Sequence, residues 1–203
     1  METGLNIGTQ YTSTDKLRYG HIMIMTDQDH DGSHIKGLII NFFHHFWPSL
    51  LKIPNFLQVF ITPIVKCERH KQVKVFYTTP EFHHWKTQQN QEWKIKYYKG
   101  LGTSTRDEAL GYFSNLPKHR IPFEIMRDGS MIDMCFSKQR ILDRKKWISN
   151  YKQGTFVDFG VSEMKYADFV DKEYIIMAVQ SNLRAIPHAM DGLKPSQRKI
   201  LFA

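Results

Sequence analysis

Only two cysteines occur in 203 residues, Cys67 and Cys135, and they lie far apart without the paired spacing of a metal site. That excludes a disulfide framework and fits a reducing compartment. The adjacent pairs His44-His45 and His83-His84 lack zinc-ligand spacing. Long apolar runs are missing too. The longest, Leu38 to Leu51, holds Asn41, two histidines and Pro48 and is too short to span a bilayer. With neither a signal-peptide pattern nor a strong basic amphipathic helix, no membrane partner is expected. Acidic residues are outnumbered, 20 against 28 Lys and Arg, for a net charge of +8. That balance favours a polyanionic partner such as nucleic acid. Hydrophobic residues make up 41% of the chain, enough for a sizeable core in one domain or two small ones.

The most informative stretch runs from Ile22 to Ser33. Four consecutive apolar residues, Ile22-Met23-Ile24-Met25, fit a strand covered on both faces. Asp27, Asp29 and Asp31 follow at every second position; if extended, they share a side and converge. Ligands of open α/β sheets bind at the carboxyl ends of strands. Converging carboxylates suit a hard divalent cation, and Mg²⁺ commonly takes one or two carboxylates plus waters and substrate phosphate. An EF-hand loop matches at Asp27, Asp29, Asp31, Gly32 and Ile35, but its twelfth position must be a bidentate Glu and is Leu38. A solvated acidic turn is the plainer alternative, disfavoured by the buried strand that feeds the cluster. Beyond it, Ile35, Leu38, Ile39, Phe42 and Phe46 recur at helical spacing, with Ser33 as the expected N-cap and Lys36 in the first turn.

Met1 to Arg18 reads as a polar loop with little core of its own. Strands are expected over 56–66, broken at Pro63, and over 73–77, with a short helix over 80–86. From Glu92 to Tyr98, Trp93, Ile95 and Tyr97 share one face, and Lys94, Lys96 and Tyr98 a basic outer face. Lys99-Gly100-Leu101-Gly102 is a tight turn that could approach phosphate, although an ordinary turn is the simpler reading. Thr105 and Glu108 have capping-box spacing. Asp128-Gly129 signals a hairpin. Ser137 is expected to cap a helix to about Tyr151, with Ile141, Trp147 and Ile148 inward. Lys138, Arg140, Arg144, Lys145 and Lys146 cover the rest, either as a solvated face or as phosphate contacts. A helix over 166–180 follows, and Lys194-Pro195 opens another with proline at its first position.

Thr-Asp-Gln-Asp-His-Asp-Gly-Ser-His-Ile-Lys-Gly-Leu, Thr26 to Leu38, resembles the acidic motif of the TOPRIM domain in eukaryotic type IIA DNA topoisomerases. The resemblance continues through Phe60 to Lys66, Lys96 to Thr105, Phe136-Ser137-Lys138 and Asp191 to Lys199, in the family's order. It implies an α/β fold with a partial TOPRIM domain (a Rossmann-like parallel sheet) over 1–55. An α+β extension over 56–165 and a linker helix with the first helix of a winged-helix DNA-cleavage domain over 166–203 would follow.

It also implies ATP-dependent cleavage, passage and religation of double-stranded DNA, in a nuclear enzyme that works as a homodimer. Asp27, Asp29 and Asp31 would hold Mg²⁺, with Asp27 able to touch both ions of a pair and Asp31 assisting or organising the loop. Lys194, Arg144 and Lys145 would contact the DNA backbone, with Lys36 a weaker candidate. ATP would be bound by a domain outside this sequence, and the nucleophilic tyrosine is expected beyond Ala203. The family's first TOPRIM glutamate is not carried onto Glu2, which Thr-Gly follows in place of Gly-Asp-Ser. A piece of a longer enzyme is therefore expected; the alternative is a truncated, catalytically inactive remnant that binds Mg²⁺ and DNA.

Overall fold

In the computed structural model, which describes residues 4–203, the apolar run forms strand β1 (Ile22–Ile24). It leads through Asp27 to helix α1 (His30–Phe46). β1 pairs in parallel with β2 (Leu57–Phe60), Ile22 opposite Leu57. Every residue of β2 is buried, as a central strand covered on both faces requires.

Next come β3 (Val65–Arg69), β4 (Gln72–Phe76), α2 (Thr79–Thr87) and β5 (Lys94–Tyr97). They make a second sheet, antiparallel, in the order β4-β3-β5, with a small core of Val65, Cys67, Phe76, Phe82 and Trp85. α3 (Arg106–Ser114) and α4 (Leu116–His119) return the chain to β6 (Arg120–Pro122), antiparallel to β2. Then follow α5 (Ser130–Phe136), α6 (Ile141–Ser149) and α7 (Tyr166–Asp168), a π-helical turn over Phe169–Tyr174, α8 (Ile175–Ala185) and α9 (Pro195–Phe202). The main core draws on all three of the segments 1–55, 56–165 and 166–203, among them Ile24, Phe43, Leu57, Ile121, Tyr166 and Val170.

α1 is helical where its periodicity placed it, but its buried face is a different one. Gly32, Ser33, Lys36, Gly37, Ile40 and Phe43 face inward, whereas Ile35, Leu38, Phe42 and Phe46 are exposed. Small residues and close approach decide this. A Cβ on Gly37 would lie 2.4 Å from the Tyr174 ring, so the π-helical turn sits directly on the α1 backbone. The N-cap is Asp29, not Ser33: the Asp29 carboxylate accepts the Gly32 N–H at 2.8 Å.

Other expectations are revised for equally local reasons. Leu5 and Tyr11 are buried in the main core, so the first segment contributes more than a loop. Asp128-Gly129 starts α5 instead of a hairpin, because the Asp128 carboxylate takes the Ser130 N–H at 2.9 Å and its hydroxyl at 2.6 Å. Ile141 is exposed, whereas Trp147 and Ile148 are half-buried. Tyr98 turns inward to a glutamate and Tyr97 is exposed. The Thr105–Glu108 capping box forms as its spacing predicts.

Candidate metal and nucleic-acid site

The acidic motif does not stay extended, so its three carboxylates do not line up as strand alternation would have them. β1 ends at Ile24, and the helix begins at His30, inside the motif. Each aspartate is therefore held by a different part of the chain. Gly32 makes the sharp entry possible: a Cβ there would lie 1.9 Å from the Asp27 carbonyl oxygen, a backbone contact that no side chain tolerates.

Asp27 faces the glycine-rich turn. Its Oδ1 accepts the Leu101 N–H at 2.7 Å, and a Cβ on Gly100 would lie 2.7 to 2.8 Å from all three carboxyl atoms. Gly100 has extended backbone, so its glycine is required here for space and not for conformation. Asp29 caps α1 through one oxygen. Asp31, in the first turn of α1, is exposed and bridged to Arg184 of α8, at 2.9 Å to Nη2 and 3.4 Å to Nη1. The guanidinium holds its carboxyl below the ordinary carboxylate range. Among the described residues, no group of three or more His, Cys, Asp or Glu is arranged to hold a metal. Glu2 lies outside them.

The turn that meets Asp27 is anchored from behind by Glu108. Both its oxygens accept from Lys96 Nζ, at 2.8 and 3.0 Å, while Oε1 also takes the Tyr98 hydroxyl at 2.6 Å and Oε2 the Thr105 N–H at 2.8 Å. Desolvation acts to raise its pKa, but the hydrogen bonds from Lys96, Tyr98 and Thr105 outweigh it and hold the carboxyl down at about 2. Lys96 is therefore paired rather than free on an outer basic face.

The expected DNA contacts divide. Lys145 and Lys194 are exposed, Lys194 as the N-cap of α9. Arg144 is half-buried, and its Nη1 donates to the carbonyls of Met134 at 2.9 Å and Ser137 at 2.5 Å, tying α6 to the end of α5. Lys36 is corrected outright as a phosphate contact. It is 1% exposed, and its Nζ lies 2.6 Å from Glu173 Oε1, which also accepts the Ser33 hydroxyl at 2.8 Å. A buried, paired ammonium cannot present itself to DNA.

The sequence profile of the C-terminal associated domain of TOPRIM matches residues 60–182. The chain belongs to this family. Among similar proteins, the probable DNA topoisomerase 2 of Dictyostelium discoideum is 52% identical over 203 residues, covering 98% of this chain and 13% of its own length. DNA topoisomerase 2 of Arabidopsis thaliana is 52% identical over 98% of this chain and 14% of its own length. Human DNA topoisomerase 2-alpha is 49% identical, with the same two coverages. The chain thus spans about one-seventh of these relatives. A crystal structure of the Plasmodium falciparum topoisomerase II DNA-binding, cleavage and re-ligation domain superposes with a TM-score of 0.88 and 51% identity, over 98% of this chain and 28% of that one. The TOPRIM-associated region is therefore α/β, as the acidic motif implied.

Two residues that shape the site escaped the sequence reading, and a third was read only in part. Arg184 and Glu173 carry no local signal, since each acts across more than 130 positions. Glu108 was visible as a cap, but its second role needs the fold to bring Lys96 and Tyr98 to it.

Proposed function

We propose that this chain supplies the metal-binding carboxylates and part of the DNA-contacting surface of a nuclear, ATP-dependent type II DNA topoisomerase that works as a homodimer on double-stranded DNA. The observation that carries the reading is Asp27 and Asp29 at the mouth of a parallel β-α unit, next to a turn where the missing Cβ of Gly100 makes room for the Asp27 carboxyl. Each spends one oxygen on a backbone N–H and keeps the other free, and both are exposed. Two hard oxygen donors with open sides suit Mg²⁺, which fills its remaining positions with water and phosphate.

In that enzyme a tyrosine oxygen attacks a DNA phosphorus and takes the place of one sugar oxygen, which leaves as a hydroxyl, so that one DNA end is held covalently. Bound Mg²⁺ would supply charge stabilisation at the reacting and leaving oxygens. Asp27 and Asp29 would hold the ion, and the Leu101 N–H and the Gly100 backbone fix where Asp27 points. Lys145 and Lys194 position the backbone of the duplex without reading its sequence; Arg144 shapes the helix that carries Lys145. Three of the tyrosines here are unsuited to the nucleophile's part. Tyr98, Tyr166 and Tyr174 are buried, and burial pushes their phenols up, away from the phenolate.

The test is a transplant. Residues 1–203 replace the matching segment of the Dictyostelium relative, and the chimera is assayed for relaxation of supercoiled plasmid with Mg²⁺ and ATP. Relaxation above background is expected. A folded, dimeric chimera that binds DNA without relaxing it would instead support the inactive-remnant alternative.

A further inference from the structure

Asp31 is the one carboxylate of the motif that another side chain holds. Its bridge to Arg184 joins residues 153 positions apart and is two-toothed, yet both partners are largely exposed. Exposed pairs add little to stability, and an acid in the first turn of a helix is favoured without any arginine. The bridge is thus poorly explained as a fold-holding contact. Its position is more telling. Arg184 is the penultimate residue of α8. Directly after it a closed loop leads to α9, held by Gly192 N–H to His188 oxygen at 2.8 Å and His188 N–H to Leu193 oxygen at 3.0 Å. Arg198 of α9 is paired with Asp191 of the same loop. The helix headed by Lys194 is therefore linked through a hydrogen-bonded loop to the arginine that holds Asp31.

We infer that Arg184 is a positioning residue that withholds Asp31 from the cation and ties the acidic motif to the helix headed by Lys194. The inference rests on the metal reading of Asp27 and Asp29. With the bridge closed, two carboxylates serve the cation and the third is neutralised. With it open, Asp31 adds its charge to the motif and Arg184 no longer opposes a cation there. Because coupling is reciprocal, whatever shifts the Lys194 helix alters cation affinity, and a bound cation biases that helix.

The experiment measures Mn²⁺ binding to the 203-residue chain by electron paramagnetic resonance of free Mn²⁺, with circular dichroism to establish that each variant is folded. Arg184→Gln is expected to tighten Mn²⁺ binding at least about tenfold, beyond the roughly fourfold that one unit charge about 10 Å from a divalent ion exerts in water, because the freed carboxylate joins the motif. Asp31→Asn should weaken binding by no more than roughly fourfold in the wild type, where it removes only a distant charge, and by at least about tenfold in the Arg184→Gln background, where it removes the freed carboxylate. Equal effects of Asp31→Asn in both backgrounds would mean a long-range charge effect and overturn the withholding. Unchanged or weaker binding in Arg184→Gln would overturn it as well. If Asp27→Ala abolishes Mn²⁺ binding while Arg184→Gln does nothing, the latch alone fails. If the wild type binds no Mn²⁺, the metal reading fails and the latch goes with it.

Discussion

Lys36→Met isolates the buried pair that joins α1 to the π-helical turn. Methionine keeps most of the aliphatic volume, so the change removes a charge and leaves little cavity. Glu173 then keeps its carboxylate at a site only 11% exposed, with the Ser33 hydroxyl as its remaining partner. Removing one member of a buried ion pair costs about 3 to 5 kcal/mol, and the residual Ser33 bond places this site near about 3 kcal/mol. For a chain of this length, about 2 to 4 °C are lost per kcal/mol, so the melting temperature should fall by about 6 to 12 °C. Thermal unfolding at pH 7 followed by circular dichroism measures it. The double variant Lys36→Met/Glu173→Gln removes the stranded charge and keeps a group for Ser33, and should regain most of the loss. If Lys36→Met melts within about 1 °C of the wild type, a shift that small corresponds to well under 1 kcal/mol. Glu173 would then be solvated, and the pair would not be what seats the π-helical turn on α1.

Glu108 sets an acid limit on the second sheet. Its folded pKa of about 2 lies below the ordinary 4.5, so its contribution is complete above pH 4.5 and is lost as pH falls toward 2. Allowing for partial exposure, that is about 2 kcal/mol. Urea melts should therefore show Glu108→Gln closing on the wild type between pH 7 and pH 2.5; a pH-independent gap refutes this. Gly100→Ala should leave urea stability within about 1 kcal/mol, because the Asp27 carboxylate can swing away. It should weaken Mn²⁺ binding at least about tenfold, since Asp27 then leaves the Leu101 N–H; unchanged Mn²⁺ binding would show that Gly100 does not set its aim. Arg144→Ala and Lys145→Ala should separate stability from DNA contact. The first loses about 1 to 3 kcal/mol, as the Met134 carbonyl loses its arginine and the Ser137 carbonyl keeps only the Arg140 N–H at 3.3 Å. The second melts like the wild type but reduces the salt slope of duplex binding by about 1. The same stability loss in both would refute the division.

What the sequence made legible was chiefly local. The β1–α1 unit, the capping box at Thr105 and the proline-led α9 follow from apolar spacing and cap chemistry within a few residues. What it concealed was rotation and reach. The stripe Ile35, Leu38, Phe42 and Phe46 had the right period on the wrong face, because Gly37 admits Tyr174 against the backbone and Lys36 is neutralised by Glu173. A buried lysine is legible only when its partner is known, and that partner lies 137 positions away. The carboxylate spacing suggested convergence because alternation assumes an extended chain. Gly32 lets the helix start five residues after Met25, and each aspartate then meets a different partner.

The most direct test of the central claim is DNA cleavage by the Dictyostelium chimera carrying Asp27→Ala, measured as Mg²⁺-dependent linear product, alongside duplex binding in the same buffer. The account predicts cleavage lowered by at least about a hundredfold with duplex affinity within about threefold of the parent chimera, because Asp27 holds the ion while Lys145 and Lys194 hold the backbone. Equal loss of binding and cleavage would make the acidic motif a structural element, and unimpaired cleavage would remove Asp27 from the chemistry.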